Sequence, residues 1–347
     1  MYIERINGKC EIIIVLILAL VVAIFLQIQI LRLRNDQNQQ PEYSDVTSLY
    51  DLTRKGAVEI LADGHLEGSG WFVDPSGLVM TADHVIGFPG KTIEIVSHSV
   101  GRVEAQVVAV DRAHDLALLQ LPASSEPYPS LPIADKMPLA GTAAFCYGVP
   151  MFRHDIMVSG CVARNDTVYE WIGDQQRYLE IVHFSAQTPK GISGGPWIDC
   201  NGQVIGLQSG MLGDGEKLQG VAYVISIEAV NALINSKTAA KTPTLGISCE
   251  EVWEQSAELR TRLPQNISGL FVKYTKVDGP ADIAKLQRDD VIVKVDCFSM
   301  QRRDELLSYV RSKNVGDKIK LTIVKPDTHQ EIEVELTLDC LEKKWLE

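Results

Sequence analysis

The sequence predicts a mainly β chain: two packed β-barrels, then a small α+β domain, behind one N-terminal membrane helix. Three observations carry that expectation. Ile12 to Leu31 is an apolar run broken only by Gln27 and Gln29. From residue 49 onward short alternating segments dominate, such as Thr92-Ile93-Glu94-Ile95-Val96 and Val103-Glu104-Ala105-Gln106-Val107. Frequent short strands with turn signals between them suit barrels or sandwiches. Beyond Pro243 a single helix-like stretch is followed by two strictly alternating strands.

The elements follow in order. After a tail over 1–11, the run 12–31 matches the ~30 Å hydrocarbon core of a bilayer. A cleavable signal peptide would have a shorter apolar core and a small-residue cleavage site. Here Gln29-Ile30-Leu31-Arg32-Leu33-Arg34 closes the run, which predicts a retained anchor. Arg5 and Lys9 precede it and Arg32 and Arg34 follow, so the positive-inside rule does not orient it. Residues 32–48, with Asp, Gln, Pro and Ser, read as a polar linker. The barrels occupy 49–236. A helix closes them, with Ile227, Val230, Leu233 and Ile234 on one face and Ser226 as N-cap. A second linker spans 237–243, and the small domain 244–342. There Asp304 to Ser312 forms a helix offering Leu306, Leu307 and Val310 to a core. The strands are marked by Ile319, Leu321, Ile323 and by Ile332, Val334, Leu336, Leu338.

Composition bounds the function. Lys and Arg number 33 against 45 Asp and Glu, a formal charge of −12, which argues against a nucleic-acid partner because such binding needs a basic face. Cysteines stand at 10, 146, 161, 200, 249, 297 and 340. None forms a CxxC pair, so no zinc site and no other cofactor is implied. Cys146 and Cys161 are the nearest candidates for a disulfide, but a chain of this size does not need staples, and buried free thiols are the favoured reading.

Three motifs carry chemistry: Thr81-Ala82-Asp83-His84-Val85, then His114-Asp115-Leu116-Ala117-Leu118-Leu119, then Gly191-Ile192-Ser193-Gly194-Gly195-Pro196. A serine hydroxyl is a poor nucleophile at neutral pH and needs a base to take its proton. Imidazole suits that task, with an unperturbed pKa of about 6.5. A buried carboxylate on its far nitrogen fixes the tautomer and stabilises the imidazolium. His84, Asp115 and Ser193 are the candidates. The backbone N–H groups of Gly191 and Ser193 would form an oxyanion hole, each donor typically worth about 3 kcal/mol. Gly194 and Gly195 permit torsions that a Cβ forbids. His114 competes for the base, but as Asp115's neighbour in a strand it would point to the opposite face. Singly, each residue could be a turn serine, a core histidine or a strand-edge aspartate. Three matched contexts in this order outweigh those readings.

The order His, Asp, Ser is that of chymotrypsin-type serine proteases, and the chain resembles the HtrA/Deg family over about residues 49–340. Gly68-Ser69-Gly70-Trp71-Phe72-Val73-Asp74-Pro75-Ser76-Gly77 before the histidine is similar to that family. So is Trp197-Ile198-Asp199-Cys200-Asn201-Gly202-Gln203-Val204-Ile205-Gly206 after the serine, where Asn-Gly is also a strong hairpin signal. The resemblance implies a chymotrypsin-like double barrel and a PDZ domain, whose loop Thr244-Leu245-Gly246-Ile247 would receive a peptide carboxylate through Leu245, Gly246 and Ile247. It also implies an extracytoplasmic catalytic domain on a single-pass inner-membrane anchor. Substrates would be misfolded or regulatory proteins. A homotrimer would form through residues before the first strand, here Leu49 and Tyr50.

Departures from the family pattern qualify this. Lys285 and Asp289 stand where the family often has glycines. Ile192 replaces the aspartate of trypsin-like zymogens and the asparagine usual in the family, so activation by a newly cut N-terminus is not expected. The specificity pocket would be lined by Gln187 and Thr188, which excludes a strong Lys or Arg preference; the resemblance implies small aliphatic residues. A non-catalytic peptide-binding or chaperone protein retaining a protease fold is the alternative reading.

Overall fold

The structure, a computed structural model, describes residues 46–341 apart from 89, 174, 215, 216 and 239, and Gln27 alone before them. The expected membrane anchor over 12–31 therefore lies, but for Gln27, outside the described residues. Among those described, no helix is long and apolar enough to cross a membrane.

Helix α1 (Val46–Gly56) opens the described chain, beginning inside the stretch expected as a linker. Leu49 on it is only 1% exposed within its own chain. It therefore does not offer the subunit contact expected of it. Tyr50 is half-buried, its ring centroid 5.6 Å from that of Tyr147 and its hydroxyl donating to the Asp155 carbonyl at 3.0 Å.

Six strands then close a barrel in the order β1-β2-β3-β6-β5-β4. They are β1 (Ala57–Ala62), β2 (His65–Phe72), β3 (Leu78–Ala82), β4 (Ile93–Ser97), β5 (Gly101–Asp111) and β6 (Leu116–Gln120), with the short helix α2 (Asp83–Ile86) after β3. Asp63 and Gly64 join β1 to β2 with φ of 50° and 78°, the two positive values that a tight hairpin turn requires. A second barrel has the order β10-β11-β12-β9-β8-β7. It comprises β7 (Ala143–Gly148), β8 (Ile156–Ile172), β9 (Arg177–Ser185), β10 (Pro196–Ile198), β11 (Val204–Asp214) and β12 (Lys217–Ser226). The β10–β11 turn at Asn201-Gly202 is wider than a two-residue hairpin, because the Asp199 carboxylate accepts from the N–H groups of Asn201 and Gln203 at 2.9 and 3.0 Å. Helix α3 (Ile227–Ser236) follows as expected. The Ser226 hydroxyl accepts from the Ala229 N–H, and Ile227, Val230 and Leu233 are buried.

The last domain is built on the sheet β14-β15-β16-β18-β19, with β14 at its edge. After β13 (Pro243–Thr244) come β14 (Ile247–Glu251), helix α4 (Ala257–Thr261), β15 (Leu270–Thr275), helix α5 (Pro280–Ile283), β16 (Val291–Val295) and β17 (Phe298–Ser299). Helix α6 (Arg303–Arg311), β18 (Lys318–Val324), β19 (Glu331–Thr337) and β20 (Asp339–Cys340) complete it. The alternation of β18 and β19 pairs Ile319 with Leu336, Leu321 with Val334 and Ile323 with Ile332. Lys285 and Asp289 adopt φ of 59° and 73°, so this chain keeps the left-handed backbone without glycine at either site.

Leu306 and Val310 of α6 join the core of this domain. Leu307, expected there too, is buried instead against Tyr169, Tyr178 and Trp171 of the second barrel. The helix is thus shared between the domains. Arg311 Nε lies 3.3 Å from Glu180 Oε1, and the Tyr169 N–H donates to Asp304 at 3.3 Å.

The six cysteines among the described residues form no disulfide with one another. Cys146 and Cys249 are buried, but Cys200 and Cys297 are exposed and Cys161 and Cys340 half-buried. The expectation of uniformly buried thiols is corrected to that extent. Cys146 and Cys161 fall three positions out of register on β7 and β8, where Cys161 opposes Ala143 and Cys146 opposes Val158.

Candidate active site

Each barrel supplies part of one site. His84 stands on α2, directly after β3. Asp115 ends the turn between β5 and β6 with φ 52°, and its carbonyl accepts the Asp83 N–H at 3.1 Å. Ser193 lies in the loop from β9 to β10. His84 Nδ1 is 2.7 Å from Asp115 Oδ2, and the His84 N–H donates to Oδ1 at 3.1 Å. Ser209 on β11 links the two barrels. Its hydroxyl donates to Asp115 Oδ2 at 2.5 Å, while its carbonyl accepts from Ser193 Oγ at 3.0 Å. Ser193 thus bonds to Ser209 and, among the described residues, not to His84.

The electrostatics follow from this packing. Burial pushes the Asp115 carboxyl up, but the His84 charge and hydrogen bond, Arg177 and the Ser209 hydroxyl outweigh it and hold its pKa at about 2. Burial pulls the His84 imidazole down, yet the Asp115 charge and hydrogen bond win and raise it above its ordinary value. Asp83 is raised, by burial first and then by Asp115, with Arg177 opposing.

The nucleophile loop is held by its backbone. The Ser69 hydroxyl donates to the Gly191 carbonyl at 3.1 Å and accepts the Val149 N–H at 3.1 Å, and the Ser69 N–H donates to the Ser193 carbonyl at 2.8 Å. The Lys190 carbonyl accepts the Met151 N–H at 2.6 Å. Across a trans peptide the N–H points opposite to the C=O, so the Gly191 N–H is directed away from Met151. Gly191 has φ 99°, and a Cβ there would strike the Val149 carbonyl. Ile192 is buried, its side chain beside Gly148. The loop carrying Met151 is itself wound tightly, with Met151, Phe152 and Asp155 at φ 50°, 58° and 56°. Asp155 fixes it by accepting from the Tyr147 hydroxyl at 2.7 Å and pairing with His98 at 2.9 Å.

His114 lies in a turn, so strand alternation does not govern its direction. Its ring nitrogens bond Asp111 at 2.8 Å and Glu180 at 3.3 Å. Burial opposes its charge, but those two carboxylates raise its pKa to about 10. Gln187 is exposed, whereas Thr188 is buried with its hydroxyl unpartnered among the described residues.

Four further residues complete the site: Arg177, Ser209, Ser69 and Asp83 all touch it. Asp83 and Ser69 fall inside stretches singled out in the sequence, while Arg177 and Ser209 do not. Tyr178, beside Arg177, reaches the last domain. Its hydroxyl accepts the Cys249 N–H at 2.8 Å and donates to the Cys249 carbonyl at 3.0 Å, on the outer edge of β14. Beside it, Thr244, Leu245, Gly246 and Ile247 line a residual cavity of only about 20 Å³. Leu245 and Ile247 are buried, and the Gly246 N–H is engaged by the Thr244 hydroxyl at 3.2 Å.

Two closed barrels meeting at His, Asp and Ser, followed by a six-stranded sheet with a helix along its open edge, define a serine peptidase fold joined to a PDZ fold. Family comparison agrees: residues 68–207 match the trypsin-like peptidase domain and residues 243–336 the PDZ domain. The chain therefore carries a trypsin-like peptidase domain followed by a PDZ domain. It is 25% identical over 280 residues to the putative serine protease HhoA of Synechocystis, covering 78% of this chain and 70% of that one. It is 26% identical over 275 residues to a probable periplasmic serine endoprotease, DegP-like, of Chlamydia pneumoniae, covering 78% and 54%. The chain thus spans about half the length of that relative. Among solved structures it shares its fold with the HtrA-type protease AlgW with a decapeptide, at TM-score 0.60 and 17% identity over 85% of this chain and 98% of that one. The serine endoprotease from Yersinia pestis gives TM-score 0.59 and 21% identity over 86% and 99%.

Proposed function

We propose that the chain cleaves protein substrates through Ser193, with His84 as general base and Asp115 as the carboxylate that orients it. The observation that carries this is the relay His84–Asp115–Ser209–Ser193, in which one residue touches both the carboxylate and the nucleophile. On substrate binding Ser193 Oγ turns from the Ser209 carbonyl to His84 Nε2. Such bonds are often loose in a free enzyme and tighten in the complex. Oγ attacks the scissile carbonyl as its proton passes to His84. The oxyanion is met by the N–H groups of Gly191 and Ser193. His84 then gives the proton to the leaving amine, and water, deprotonated by His84, releases the acyl group from Ser193. Gln187 and Thr188 line the pocket for the residue before the scissile bond.

Peptide C-termini at the PDZ domain regulate this activity. A peptide added as a strand along β14 needs the N–H and C=O of Cys249, the groups that Tyr178 engages. Peptide and Tyr178 therefore compete, and occupancy of the groove releases the start of β9. A ligand activates only to the extent that it prefers the released state. The names of several relatives place them in the periplasm. An extracytoplasmic catalytic domain anchored through 12–31, acting on misfolded or regulatory proteins and assembled as a homotrimer, fits that setting.

Labelling by a fluorophosphonate probe tests the reading. The wild type should be modified at Ser193, and Ser193→Ala should not. A folded sample saturated with free-C-terminal peptides that stays unlabelled would replace this reading with a non-catalytic, peptide-binding one.

A further inference from the structure

Asp83 and Arg177 form a buried ion pair against the back of the catalytic carboxylate. Arg177 Nη2 lies 3.1 Å from Asp83 Oδ2 and 3.2 Å from Asp115 Oδ1. Its Nη1 donates to the Arg112 carbonyl at 2.5 Å and its Nε to Gln175 at 2.7 Å. Every guanidinium nitrogen is engaged, and the residue is 2% exposed, so the fork has one orientation. We propose that Asp83 and Arg177 are positioning residues for Asp115, a pair of opposite charges that fixes the carboxylate and sets the basicity of His84. This rests on the catalytic reading given above.

Arg177 acts on the carboxylate through geometry and through charge. Asp115 Oδ2 serves His84 and Ser209, leaving Oδ1 with the His84 N–H and Arg177. Without Arg177 one buried lone pair loses its charged donor, and the carboxylate gains freedom to rotate away from the imidazole. A positioning error of an ångström costs about a hundredfold in such chemistry. The second effect is charge. A cation on Oδ1 competes with the imidazolium for the carboxylate and weakens the hold of His84 on its proton. Asp83, one residue before His84, does the reverse. Its Oδ1 is buried with no hydrogen-bond partner, so among the described residues its charge is met by Arg177 and, at 3.5 Å, by Arg112. The charged groups around the relay are thus Asp83 from α2, Arg112 from the β5–β6 turn and Arg177 from β9; β11 contributes the neutral Ser209. His114, Asp111 and Glu180 answer one another nearby.

The test is the pH dependence of fluorophosphonate inactivation in the full chain, whose acidic limb reports the base in the free enzyme. Asp83→Asn should move that limb to lower pH. Arg177→Met should move it to higher pH and lower the plateau rate by about tenfold or more. Arg177→Lys, which keeps the charge but not the fork, should hold the limb near that of the wild type while the plateau still falls. Opposite displacements are a signature that loss of packing alone does not produce. Limbs that stay put, or move the same way, in variants still labelled at Ser193 would overturn this proposal and leave the catalytic reading intact. A wild type unreactive at every pH would overturn both. Should Arg177→Met fail to fold, the near-isosteric Asp83→Asn decides alone: a limb unmoved or raised refutes the pair.

Discussion

Tyr178→Phe removes one oxygen atom and keeps the ring, which packs 5.1 Å from the Trp171 centroid and against Leu307. That oxygen makes two hydrogen bonds with the Cys249 backbone. Burial pushes the hydroxyl's pKa well above its ordinary value, so it remains a neutral partner across the working pH range. A hydrogen bond contributes about 1 kcal/mol net, and a buried amide left without a partner costs about 1–3 kcal/mol. Allowing water to reach part of the vacated edge, the docked state loses about 2 kcal/mol. At about 1.4 kcal/mol per factor of ten, the opened form becomes about thirtyfold more populated. Hydrogen exchange read by mass spectrometry over Ile247–Glu251 should accelerate by that factor at Cys249, while Leu321 on the inner strand β18 exchanges as before. Equal or slower exchange at Cys249 would refute the claim that Tyr178 closes the groove edge.

Two further outcomes follow from the same packing. Gly194 has φ 82°, and a Cβ there would lie 2.5 Å from Thr81 Oγ1 and 3.1 Å from the Ala82 nitrogen. Gly194→Ala should therefore cut probe labelling at least about a hundredfold with the far-ultraviolet circular dichroism preserved. His114 has a folded pKa of about 10, raised above its unfolded value of about 6.5. Its stabilising contribution is complete below the unfolded value and is lost as pH rises through the folded one. His114 should lower the free energy of unfolding by at most about 1.4 kcal/mol per pH unit between about 6.5 and 10, and His114→Gln should make the slope shallower in denaturant titrations.

What could be read beforehand was local. The barrel strands, the Ser226 cap, the β18–β19 alternation and the motifs around His84, Asp115 and Ser193 all depend on residues close in the chain. Arg177 meets Asp115 across 62 positions and Tyr178 meets Cys249 across 71, and no periodicity announces either contact. Leu307 carried the right signal, an apolar residue on a helix face, but the signal does not say which domain will cover it. His114 stays clear of the nucleophile, but through a turn in which Asp115 is left-handed and not through strand alternation. Leu49 was misplaced because an apolar residue ahead of the first strand can be covered by its own chain as readily as by another.

The aromatic seam around Leu307 has a consequence for evolution and engineering. Tyr169, Trp171 and Tyr178 sit on the peptidase side of that seam, and a peptidase domain cut free at residue 243 would carry all three in one exposed apolar patch, the kind of surface that promotes association. The PDZ domain would likewise lose the cover over Leu307. The two folds are therefore not interchangeable cassettes. A replacement PDZ domain would have to bring an apolar side chain at the Leu307 position and an edge strand to meet Tyr178. Lineages that lose this second domain would have to make the barrel surface polar as well.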